Sequence, residues 1–121
     1  MDTSKGQIIF YKTAERATAV EVRLEQETLW LTQAQMVELF QRDQSVIARH
    51  LRNIFKSKEL DAKSNMQKMH NTLPGRPLTY YNLDVIISVG YRVNSKRGTQ
   101  FRIWATRVLK DHLVKGYSAN Q

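Results

Sequence analysis

The stretch from Trp30 to Phe55, WLTQAQMVELFQRDQSVIARHLRNIF, constrains this chain more than any other. It reads as two short helices joined by a tight turn. Thr32 puts a hydroxyl where it can cap the first helix, accepting from the amide of Gln35. A Gln at that third position can reach back to the capping residue, which completes a capping box. Met36, Val37, Leu39 and Phe40 gather on one side, and Gln33, Gln35, Glu38 and Gln41 on the other. The first helix should stop near Arg42, and Asp43 is placed to cap the second.

The second helix is the sharper signal. At about 100° per residue, Ile47, His50, Leu51, Ile54 and Phe55 share a stripe, while Gln44, Ser45, Ala48, Arg49 and Arg52 fall opposite, with Lys56 beyond them. Small residues permit close approach to a groove floor, Gln pairs with adenine, and Arg pairs with guanine or holds a phosphate. The apolar spacing from Met36 through Phe40 to Leu51 fits a helix-turn-helix, whose second helix enters the DNA major groove. A plain helical hairpin stays open on this pair alone. Many helix-turn-helix turns have Gly and a small apolar residue where this chain has Gln41 and Arg42.

A chain of 121 residues is one domain by size. No apolar run approaches the roughly 20 residues of a membrane span, and MDTSKGQIIF lacks the pattern of a signal peptide. Zero cysteines exclude disulfides and thiolate metal sites and fit a reducing cytosol. A cytoplasmic protein, associated with the nucleoid, is expected. The net charge of +8 is uneven. Residues 1–40 hold four basic and six acidic side chains, residues 41–83 eight and three, and residues 84–121 seven and two. The cationic excess therefore lies beyond residue 40, where it attracts a polyanion, nucleic acid before a membrane surface.

Around the central pair, Gln7–Tyr11 and Ala19–Leu24 read as a β-hairpin, because Val20, Val22 and Leu24 alternate with Glu21 and Arg23. Leu29–Leu31 is a further extended piece. Met66–Asn71 and Leu78–Leu83 flank a turn at 72–77 that contains Pro74, Gly75 and Pro77. A hairpin after a recognition helix is the wing of a winged helix-turn-helix. Its tip would offer Arg76 to phosphate, and its first arm Lys68 and His70; a surface loop with solvated cations is the alternative. Leu83–Val93 is expected to be a buried helix, capped by Asn82 or Asp84, with a strand as the alternative because Val and Ile dominate it. A final helix should run from Thr99 to about Lys115 and end at Gly116. Its core stripe is Phe101, Trp104, Ala105, Val108, Leu109 and His112. Ile103 and Val114 lie off that stripe, as contacts to another subunit would.

The segments LTQAQMVELF, YYNLDVIISVGYRVNSKRGTQFRIWAT and LVKGY resemble the N-terminal region of the RhuM family of bacterial virulence-associated proteins, over about Gly6 to Tyr117. The tail from Arg97 to Gly116, with its Phe101-Arg102-Ile103-Trp104 run, is also similar to a phage antirepressor pattern of Bro-N and KilA-N domains. RhuM members are usually longer, so the chain looks like an isolated N-terminal domain or a truncated member. The resemblance implies DNA binding. Within it Tyr80, Asn82, Tyr91, Arg92, Arg97 and Gln100 serve packing or contact, and Lys96, Arg97 and Arg102 are the residues best suited to touch phosphate.

His50, His70 and His112 lack carboxylates at ligand spacing, and hydrogen-bonded core histidines are expected at His50 and His112. No phosphate-cradling glycine loop and no paired carboxylates stand out. The expectation is an α+β winged helix-turn-helix with an N-terminal hairpin (7–24), helix-turn-helix (32–55), wing (65–83) and two C-terminal helices (84–115). It would bind double-stranded DNA as a regulator, pair as a homodimer on two-fold sites, catalyse nothing, and need no cofactor, metal, membrane or small-molecule substrate. The alternative is an assembly module of a longer protein.

Overall fold

A computed structural model describes residues 6–12, 19–70, 75–93 and 95–119, the last five of these as backbone. Period-two alternation makes the strands. In β1 (Gln7–Lys12) and β2 (Ala19–Glu25), Tyr11, Val20, Val22 and Leu24 are buried, and Glu21 between them is exposed. The antiparallel register runs from Gln7 opposite Leu24 to Lys12 opposite Ala19. β3 (Thr28–Leu31) follows β2 after a two-residue turn, with Glu25 opposite Thr28.

β3 leads directly into α1 (Gln33–Phe40) and α2 (Gln44–Lys56). A one-turn helix α3 (Ala62–Asn65) then precedes β4 (Met66–Met69) and β5 (Leu78–Asn82). β5 pairs antiparallel with both β4 and β3, giving a five-stranded sheet in the order β1-β2-β3-β5-β4. The α+β architecture, the N-terminal hairpin, the helical pair, the second hairpin and the two later helices are therefore present in the expected order. Residues 13–18 between β1 and β2, and residues 71–74 of the second turn, lie outside the described residues.

α4 (Leu83–Val93) is a helix despite its Val and Ile content, with Asn82 Oδ1 accepting from the Val85 amide at 3.3 Å. α5 (Lys96–Ala119) differs from expectation at both ends. It starts three residues before Thr99, where Ser95 Oγ accepts the Arg97 amide at 3.0 Å, and it runs on through Gly116. The expected core stripe on α5 also ends early: Phe101 and Ala105 are buried, Trp104, Val108 and Leu109 half-buried, and His112 exposed. Among the described residues, the α5 side chains from Lys110 to Val114 are all exposed.

One core joins Tyr11, Val22, Leu24, Leu29 and Leu31 of the sheet to Met36, Leu39, Ile47, Leu51, Ile54, Ile86, Val89 and Phe101 of the helices. The helices thus cover one face of the sheet. On the other face Trp30, Met69 and Tyr80 form a small cluster of their own. Arg23 closes it, lying 5.2 Å over the Tyr80 ring while its Nε pairs with Glu25 at 2.8 Å and its Nη1 donates to the His70 carbonyl.

Candidate nucleic-acid interface

Local chemistry sets the helical pair. Thr32 Oγ1 accepts the Gln35 amide at 3.2 Å, and Gln35 Oε1 accepts the Thr32 amide at 2.8 Å, the capping box expected there. Gln41 ends α1 in the left-handed region (φ 55°), its amide donating to the Val37 carbonyl at 2.9 Å and its side chain to that of Glu38 at 2.8 Å. Gln41 thus takes the conformation that glycine takes in many such turns, at the steric cost of a Cβ. Asp43 caps α2 through Oδ2, which accepts both the amide and the hydroxyl of Ser45. The hydroxyl and then the amide of Ser45 hold the Asp43 carboxyl below its ordinary range.

α2 segregates as its sequence predicts. Ile47, Leu51 and Ile54 are buried, while His50 and Phe55 are half-buried. Gln44, Ser45, Arg49, Arg52 and Lys56 are exposed, and Ala48 is half-buried among them. These six span an arc of roughly 140° at about 100° per residue. Among the described residues Arg49 and Arg52 make no hydrogen bond or ion pair, so neither is tucked against the protein's own body. The Ser45 hydroxyl is the one group of this set already committed, to its cap.

Two further arginines, Arg42 and Arg92, lie close enough to α2 to act on His50. Arg42 Nη2 donates to the Val93 carbonyl at 3.0 Å, which ties the inter-helix turn to the end of α4 and brings the α4–α5 corner, with exposed Lys96, toward the start of α2. Arg92 pairs with Glu59 at 2.7 Å, and Ser88 donates to the other carboxylate oxygen at 2.5 Å. The Ser88 hydroxyl, followed by Arg92, keeps the Glu59 carboxyl below its usual range. His50 lies between these groups; burial, then the charges of Arg49, Arg92 and Arg42, hold its imidazole below its ordinary value. The hydrogen-bonded core histidine expected here is not what forms, because buried Nδ1 has no partner. The sequence did not place Arg92 beside α2, since only long-range packing brings α4 there; Arg42 lies in the turn just before α2.

The base of the second hairpin is fixed to α2 by Phe55 stacking on Tyr81, centroids 6.1 Å apart. Gly75 has φ 137°, a conformation that suits glycine in a turn. Arg76, Lys68 and His70 are exposed on the second hairpin. On α5, Lys96 and Arg102 are exposed, but Arg97 is half-buried and already engaged. Arg102 lines a cleft of about 190 Å³ with Tyr91, Ser95 and Thr99 where α4 meets α5. The structure therefore places Gln44, Ser45, Ala48, Arg49, Arg52 and Lys56 on one side of α2, with Arg76 on the second hairpin and Arg102 on α5. Among the described residues no three His, Asp or Glu side chains converge as a metal site, and no helix is long and apolar enough to cross a membrane.

The class these features define is a mixed α+β domain whose helical pair turns a bare basic face outward. Residues 58–121 match the Virulence protein RhuM family, and the chain belongs to that family. The matched stretch takes in α3, both strands of the second hairpin, α4 and α5, and begins just after α2. Neither the curated proteins nor the solved structures compared with the chain gave a match.

Proposed function

We propose that this chain is a winged helix-turn-helix domain that binds double-stranded DNA, with α2 in the major groove and the β4–β5 hairpin as its wing. The observation that carries this reading is the α2 face, where Gln44, Arg49, Arg52 and Lys56 are exposed above buried Ile47, Leu51 and Ile54. Short residues at the start let the helix approach base edges, and the arginines follow along the groove. The chain path supports the reading: β3 precedes the helical pair, and β5 returns beside β3 after it, as a wing does. The similarity of Arg97–Gly116 to antirepressor helices points the same way. Such a domain acts at the nucleoid, as a regulator of transcription or of a mobile element, without catalysis or cofactor.

Gel shifts on fragmented genomic duplex across a salt series test the proposal. Retention at low salt that weakens steeply with added salt is the expected result, because cations that neutralise phosphates release counterions. A chain that fails to retard any duplex at low salt is not a DNA-binding domain. A second reading, an assembly module of a longer protein, is favoured by Ile103 and Val114, which are 51% and 61% exposed on α5.

A further inference from the structure

Two unpartnered features meet on one side of the molecule. β1 is an edge strand, paired with β2 on one side and with no strand among the described residues on the other. Its sequence, QIIFYK, has no Pro, Gly or acidic residue, and its one charge, Lys12, stands at its end. Protected edges usually carry a central charge, a proline or a bulge; the unbroken register with β2 shows none. Tyr11 faces the core, so Ile8 and Phe10 point to the opposite face of the sheet, 39% and 59% exposed. The second feature is α5, bound to this same strand through Tyr11, whose ring lies 4.8 Å from Trp104 and 5.2 Å from Phe101. A 24-residue helix is about 36 Å long. Its packing on the core reaches Leu109, while Ile103, Leu113 and Val114 are at least half exposed.

We propose that β1 pairs antiparallel with β1 of a second copy, about a two-fold axis perpendicular to the sheet. The five strands of each copy then join into one sheet, and both α5 helices lie on the same face beside the junction. An extended peptide would satisfy the strand edge but leave α5 bare. A six-residue strand, roughly 20 Å long, also falls short of the roughly 1,200–2,000 Å² that stable interfaces bury. A second copy brings strand and helix together by one symmetry operation. Charge favours the antiparallel sense: it sets the two Lys12 side chains at opposite ends of the ladder, whereas a parallel pairing sets them side by side. Ile8 and Phe10 of both copies then form a cross-strand cluster on the outer face. The inference does not depend on the DNA-binding reading.

The chain has no cysteine, so single cysteines report the pairing directly. Ile8→Cys, Ile9→Cys and Phe10→Cys are compared under mild oxidation with Gln67→Cys on the opposite edge strand. A disulfide-linked dimer is expected from one β1 position and not from Gln67→Cys, because only Cα atoms about 4.4–6.8 Å apart can be bridged. In sedimentation at tens of micromolar the unmodified chain should behave as two chains. The exposed double variant Ile8→Lys/Phe10→Lys, with unchanged far-ultraviolet dichroism, should behave as one. Leu113→Lys/Val114→Lys should weaken association at least tenfold. A chain that sediments singly at every concentration, or a dimer that survives Ile8→Lys/Phe10→Lys or links through Gln67→Cys, overturns the proposal.

Discussion

Gly90 of α4 and Gly98 of α5 lie back to back over the Phe40 ring. A Cβ on Gly98 would stand 3.1 Å from the Gly90 Cα and 3.4 Å from Phe40 Cε1, and one on Gly90 would stand 3.4 Å from the Gly98 Cα. This crossing seats both late helices on α1, so it underlies the geometry of the helical pair. Gly98→Val should force the helices apart and lower stability by about 1–3 kcal/mol, the usual range for overpacking. Gly90→Ala meets a looser contact and gains about 1 kcal/mol of helix propensity, so it should be near neutral. Urea denaturation of both variants checks the contrast, and equal losses would mean the close approach at Gly98 is not limiting.

Between β2 and β3 the turn residues Gln26 and Glu27 both have positive φ, 57° and 62°. A two-residue hairpin turn of this kind strongly favours Asn-Gly, since most side chains strain there. Gln26→Asn with Glu27→Gly should stabilise the domain by about 1 kcal/mol, the scale of a left-handed residue's penalty. A lower denaturation midpoint in the double variant would show that the two side chains make compensating contacts.

Local patterns were the legible part. The box at Thr32, the cap at Asp43 and the two-sided α2 depend on neighbours within four residues, and each is where its sequence places it. The positive-φ turn at Gln26 was not legible, because neither Gln nor Glu signals it; the β2–β3 ladder imposes it. His112 continues a helical period on α5, but whether a period is buried depends on what lies beneath, and the body stops short of it. The start of α5 at Lys96 had a local signal that was passed over, Ser95, whose Oγ accepts the Arg97 amide. Within the candidate site, the α2 residues were found by periodicity. That Arg92 of α4 comes to His50 of α2 was not legible, because that approach is tertiary.

His50 makes an acid-sensitive element of that junction. Its imidazole sits below the ordinary 6.5, chiefly through burial and then through Arg49, Arg92 and Arg42. The folded protein therefore binds this proton more weakly than the unfolded chain. Its contribution is complete above pH 6.5, falls as pH drops below that value, and levels off beneath the folded pKa. Glu59 and Asp43, lowered from 4.5 and 3.8, act in the same direction but at more acid pH. Stability measured by denaturation should decline between pH 7 and 5 in the unmodified chain, and that decline should shrink in His50→Gln. An identical decline in the variant would assign the effect elsewhere.

Arg49 and Arg52 occupy neighbouring turns of the same exposed face, but they need not do the same work. A base-reading arginine replaced by Ala should cost about 1–3 kcal/mol of affinity and relax preference at one position of the site. A phosphate-binding arginine should weaken all duplexes alike and reduce the slope of log affinity against log salt by about 1. Arg49 is nearer the helix start, where Gln44, Ser45 and Ala48 allow the closest approach, so Arg49→Ala should show the first behaviour. Arg52 lies one turn further along beside Lys56, and Arg52→Ala should show the second. Selection from a random duplex pool, repeated with each variant, separates the two outcomes. Unchanged affinity and preference in both variants would mean that α2 does not face the DNA.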